Sequence, residues 1–165
     1  MCTGGGSIAT ALLWPDCEVD LADMSPDALD LAKKNIALHG LGSRVRAIQS
    51  DLFDDVDSRY DLIIANPPYV SVQEYEGLPA EFINEPSLGL ISADNGLQIP
   101  LKILQDSVDY LPADGLLVME VGYSQPQLSE RLRQVPLLWL EFEQGGEGVL
   151  ALTARQLQQY REQFN

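Results

Sequence analysis

Histidine and cysteine are nearly absent from this chain, and positive charge is scarce beside negative. Histidine occurs once, as His39, at the end of a helix-forming segment where a cap or a cation suits the last carbonyls. Nothing around it calls for a histidine base. Cys2 and Cys17 are the two cysteines. Their spacing matches no metal motif and builds no disulfide framework, which fits two reduced thiols in a cytoplasmic protein. Lys and Arg together number 10 against 25 Asp and Glu, a formal net charge of −15. A surface of that sign repels phosphate backbones, so direct nucleic-acid binding is not expected. It favours a basic protein as partner. No apolar run reaches the roughly 20 residues of a membrane span. A charged start followed by an apolar stretch, the mark of a signal peptide, is missing too. The expectation is a cytoplasmic protein with no membrane partner.

What is present suits one domain: 165 residues, of which 45% are apolar. The stretch that organises the reading is Asn66-Pro67-Pro68-Tyr69. It follows Tyr60-Asp61-Leu62-Ile63-Ile64-Ala65, a strand-forming run, and precedes a loop rich in Pro, Glu and Gly. The prolines hold φ and remove two N–H donors, leaving the flanking carbonyls as acceptors. Asn66 brings one acceptor and two donors on a short stem, and Tyr69 a flat face and a hydroxyl. Together they suit a planar group that donates and accepts hydrogen bonds, such as an amide or an exocyclic amine. The plain alternative is a strand-to-turn exit, since Asn-Pro marks turns.

The chain opens on Met1-Cys2-Thr3-Gly4-Gly5-Gly6-Ser7 and runs into a helical segment over 8–13. Glycines feeding a helix N-terminus let backbone N–H groups approach a ligand. Residues 17–23 alternate as a short strand. Asp23 at its end lies about twenty residues after the glycines, the spacing at which a carboxylate reaches ribose hydroxyls. Ser25 and Pro26 supply the cap and first position of the next helix, which leaves Asp23 for a ligand. That helix spans 27–39, with Leu29, Ala32, Ile36 and Leu38 near one face. Residues 45–49 form a strand, and Asp51 lies just past it. Asp51 suits an exocyclic amino group of a base, or is a solvated loop residue among Asp54, Asp55 and Asp57. Residues 70–95 have little periodicity and read as a substrate-facing lid, partly helical near 73–75. A helix over 96–111 follows, then a strand over 116–121 buried on both faces, a helix over 125–135, and strands over 137–142 and 149–153 joined by a hairpin turn. Residues 154–165 form a polar helix or a frayed tail.

Strands alternating with helices and a closing hairpin imply an α/β fold: a doubly wound, mostly parallel sheet with one antiparallel strand near an edge. In such sheets ligands bind outside the carboxyl ends of the strands. The glycine loop, Asp23, Asp51 and Asn66 all fall at such ends.

These four features together resemble the class I methyltransferases, a Rossmann-like family that uses S-adenosylmethionine. Within it, the Asn-Pro-Pro-Tyr tetrad resembles enzymes that methylate planar amide or amino nitrogens. Two further stretches resemble the protein-glutamine methyltransferase branch acting on the third protein of the large ribosomal subunit. One is 78–90 with Asp94-Asn95-Gly96-Leu97. The other is Trp139-Leu140-Glu141-Phe142 with Gly145-Gly146-Glu147-Gly148-Val149. The resemblance implies S-adenosylmethionine as cofactor, with S-adenosylhomocysteine as product, held by Thr3, Gly4, Gly6, Asp23, Met24, Asp51, Leu52 and Asn66. It implies Asn66, Pro67 and Tyr69 as catalytic residues, with Pro68 and Glu85 joining them on the substrate, and no metal. The partner it implies is a basic ribosomal protein. The family's helical substrate domain and the strand before its glycine loop would precede residue 1, so the sequence looks truncated, first strand largely missing. The competing readings are an adenine-specific DNA methyltransferase, disfavoured by the charge, and a non-catalytic truncated fragment. A nicotinamide-dependent oxidoreductase would share the glycines and Asp23 but gives no reason for the tetrad.

Overall fold

Apolar residues recur here every second position in some runs and every third or fourth in others, and the two periods become strands and helices. The computed structural model describes residues 5–68, 93–94, 96–143 and 146–165. They divide into two units, Met1–Asp57 and Ser58–Asn165.

In the first unit, helix α1 (Gly5–Leu13) is followed by β1 (Val19–Asp23), α2 (Pro26–Leu38) and β2 (Val45–Gln49). The strands pair in parallel, from Val19 opposite Val45 to Asp23 opposite Gln49. Ser25, in extended backbone, accepts from the Ala28 N–H at 3.3 Å, and Pro26 and Asp27 open α2. His39 caps its end, as expected, and Gly40 leaves with φ +65. Leu29, Ala32 and Ile36 are buried, and the last two join Ile8, Ala11, Leu21, Leu41 and Val45 in this unit's core. Leu38 is a correction: it is 77% exposed. Two residues beyond Ile36, it lies about 200° around the helix from the core stripe. The end of α1 is held by Arg44, whose guanidinium donates to the carbonyls of Ala11, Trp14 and Cys17. Arg46 pairs with its cross-strand neighbour Asp20 through bonds of 3.1 and 2.7 Å.

In the second unit the elements are β3 (Leu62–Ala65), α3 (Gln98–Asp106), β4 (Leu116–Glu120), α4 (Gln125–Arg131), β5 (Leu138–Leu140), β6 (Val149–Thr153) and α5 (Ala154–Gln159). The sheet order is β3-β4-β6-β5. β3 and β4 are parallel, and β6 runs against both β4 and β5. The expected hairpin is therefore present, though its turn residues 144–145 lie outside the described residues.

Three expectations need correction here. The helix over 96–111 is an α-helix only to Asp106 and tightens to a 3-10 turn over Ser107–Tyr110. There the buried Ser107 hydroxyl donates back to the Ile103 carbonyl at 2.5 Å, competing with the ladder. The helix over 125–135 stops at Arg131, since Val135 N–H turns back to the Leu132 carbonyl and Pro136 follows. The strand β4 is fully buried on one face and half-buried on the other. Of the two readings of residues 154–165, the helix holds and the frayed tail does not. Thr153 and Gln156 form a reciprocal capping box, Leu157 is buried, and Phe164 in the 3-10 turn Arg161–Phe164 is 2% exposed. Arg161 ties that turn to Asp109, a hydrogen bond that raises the guanidinium pKa above its ordinary value.

Candidate functional site

The first unit presents its polar residues at the carboxyl ends of β1 and β2. Because the strands are parallel and in register, Asp23 and the residues after Gln49 emerge on one edge. Asp23 is half-buried. Its Oδ1 accepts from the Ser25 N–H at 2.8 Å. Ser25 thus caps α2 and also aims Asp23, so this carboxylate is oriented rather than left wholly to a ligand. Met24, beside it, is 48% exposed.

The β2 end is shaped by Ser50, which is 3% exposed. Its N–H donates to the Asp23 carbonyl at 3.0 Å. Its hydroxyl donates to the Leu52 carbonyl at 3.1 Å and accepts from the Asp55 N–H at 3.0 Å. Leu52 sits in the left-handed region, φ +51, where non-glycine residues carry strain. Phe53 is buried and anchors the turn, while Asp51 is exposed. Met24, Gln49, Ser50, Asp51 and Asp55 line a cleft of about 410 Å³. An oriented carboxylate and an exposed one on a shared edge suit a ligand with neighbouring hydroxyls at one end and an amino group at the other. This pair of acceptors therefore fits an adenosyl group.

Of the glycine loop, Thr3 and Gly4 lie outside the described residues. Gly5 and Gly6 form the first turn of α1, three residues earlier than the helical segment read from the sequence. The first N–H groups of a helix have no partner within it. Among the described residues no group of three or more His, Cys, Asp or Glu could hold a metal ion. No described helix is long and apolar enough to cross a membrane.

The second unit carries the tetrad. Asn66 directly follows Ala65, the last residue of β3, and is exposed. Pro67 and Pro68 are buried beneath it. Asn66 is therefore a polar tip on a rigid, apolar footing, not a residue turned into the interior. Tyr69, Glu85 and the lid expected over 70–95, apart from the turn at 93–94, lie outside the described residues. Sequence reasoning missed Gln49, Ser50 and Asp55; a short polar residue between a strand and an acidic loop was the available signal for Ser50.

The sequence matches the methyltransferase small domain family over residues 1–92. Its curated relatives include the ribosomal protein uL3 glutamine methyltransferase of Francisella tularensis, 42% identical, over 99% of this chain and 53% of the relative. A relative of the same name from Xanthomonas campestris is 45% identical, over 95% of this chain and 52% of its own length. The chain thus spans about half the length of these relatives. A solved methyltransferase from Pyrococcus furiosus has the same fold at 18% identity, with a TM-score of 0.63 over 89% of this chain and 68% of that one.

Proposed function

This chain belongs to the methyltransferase small domain family, and on that premise we propose that it forms the catalytic part of an enzyme acting on protein glutamine. The reaction moves a methyl group from S-adenosylmethionine to the side-chain amide nitrogen of a glutamine in a large-subunit ribosomal protein. The names of relatives 42% and 45% identical support the substrate. One observation supports the chemistry above the others: Asn66 stands exposed at the end of β3 on two buried prolines. A ribosomal-protein substrate sets the reaction in the cytoplasm, and the net charge of −15 suits a basic partner.

S-adenosylmethionine supplies an electrophilic methyl group on a sulfonium. Asp23 would take the ribose hydroxyls and Asp51 the adenine amino group, with Met24 and Leu52 packing beside the base. The glycines at the start of α1 would bring backbone N–H groups to the amino-acid end. An amide nitrogen is a poor nucleophile, because its lone pair is delocalised into the carbonyl. The side-chain oxygen of Asn66 and the carbonyl of Pro67 would each accept one amide N–H of the glutamine. That pair of bonds polarises the nitrogen and aims it along the line of attack, and Tyr69 would pack against the amide plane. Positioning of this kind can supply about 7–11 kcal/mol of the barrier, with oriented dipoles adding to it. No strong base is required before transfer, since the nitrogen's proton leaves after the methyl group has been gained.

The test is methyl transfer from labelled S-adenosylmethionine to a purified large-subunit protein, followed by peptide mass spectrometry. The expected product is one methyl group on one glutamine, lost when that glutamine is replaced by glutamate. Methylation of the glutamate variant, or of duplex DNA in place of protein, would overturn the reading.

A further inference from the structure

We propose that Ser50 is a positioning residue for the adenine end of the cofactor, a role that rests on the S-adenosylmethionine reading above. Ser50 lines the cleft, but its hydroxyl is engaged within its own turn rather than offered to a ligand. It is 3% exposed, yet both capacities of its hydroxyl are used within six residues: it donates to the Leu52 carbonyl and accepts from the Asp55 N–H. The turn it closes carries Asp51 outward and holds Leu52 at φ +51. A leucine does not settle in that region unaided; the two hydroxyl bonds, together with the Asp54 N–H donating to the Asp51 carbonyl, hold it there. The Ser50 N–H meanwhile donates to the Asp23 carbonyl. One residue therefore joins the backbone of the carboxylate meant for ribose to the turn bearing the carboxylate meant for adenine. Without the hydroxyl, Leu52 relaxes toward ordinary backbone and Asp51 leaves the spot where it accepts from the 6-amino group.

Calorimetry of the purified protein with S-adenosylhomocysteine and with S-inosylhomocysteine, its 6-oxo analogue, reads that placement directly. The native protein should prefer the amino form, because Asp51 accepts from it and repels the oxo group. Ser50→Ala should weaken S-adenosylhomocysteine by about three- to tenfold, the loss expected of one to two hydrogen bonds. It should also remove most of the preference for the amino form while thermal unfolding stays cooperative. In a Leu52→Gly background, where positive φ costs little, the same substitution should change the preference far less. A Ser50→Ala variant that keeps the full preference overturns the proposal. So does an equal effect in both backgrounds, or a double variant that fails to fold. A native protein with no affinity for S-adenosylhomocysteine overturns the cofactor reading itself, and this role with it.

Discussion

Asn66 stands exposed at the end of β3, and the two residues that follow it are buried. Pro67 and Pro68 are buried, offer no N–H, and fix the backbone that carries the carboxamide outward. Asn66→Ala therefore removes an acceptor without loosening its support. Single-turnover kinetics should show the methyl-transfer rate falling on the order of a hundredfold, while calorimetry shows S-adenosylhomocysteine affinity nearly unchanged. Equal loss of both would assign Asn66 to the cofactor instead. At this scale the sequence was legible where a residue type has few uses. Asn66 stands exposed at the end of β3 and Asp23 at the end of β1, the strand-end positions read from the sequence. It was less legible where backbone atoms are the partners. Asp23 was read as spare because Ser25 could cap α2, yet Ser25 caps the helix with its hydroxyl and binds Asp23 with its N–H. Ser50 acts on a carbonyl two residues on and an N–H five residues on, and no side-chain pattern announces that.

Several strands were read closely because their signals are local, though the strand expected over 137–142 is only Leu138–Leu140 and α1 begins three residues earlier than read. Residues 45–49, 62–65 and 149–153 became strands to the residue. Helix ends were harder to read, since Val108 and Leu111 continue the apolar period past Asp106 while the backbone tightens to 3-10 geometry. One element junction depends on glycine in a way the period cannot reveal. Gly148 has φ +76, and a Cβ there would lie 2.3 Å from the Gly122 carbonyl oxygen, just where the Gly148 carbonyl accepts from Val121 N–H at 2.7 Å. Gly148→Ala should cost roughly 2–4 kcal/mol through strain and displaced backbone, read as a lower urea midpoint. Gly42→Ala, where a Cβ meets nothing within 4 Å, should shift that midpoint little. A Gly148→Ala protein as stable as the native one would show that the approach of Gly122 and Gly148 is not tight.

For the molecule as a whole, composition bears on the choice of partner, and strand order was the hardest feature to read. Twenty-five acids against ten bases predict that binding of a basic ribosomal protein is steered by charge. Raising salt toward 1 M, where the Debye length is about 3 Å, should slow association severalfold in stopped-flow mixing while the dissociation rate changes less. Salt-independent association would remove charge from the account of partner choice. Alternating strands and helices pointed to the α/β class, but the placing of β6 between β4 and β5 comes from pairings between distant segments, which local patterns do not encode. That placement ends at Thr153, at once the last residue of β6 and the cap of α5. A strand that becomes a helix without an intervening loop has no slack. One residue added between Thr153 and Leu157 would rotate the helix by about 100° and swing Leu157 out of its seat. This joint should therefore tolerate no change of length and behave as a fixed pin.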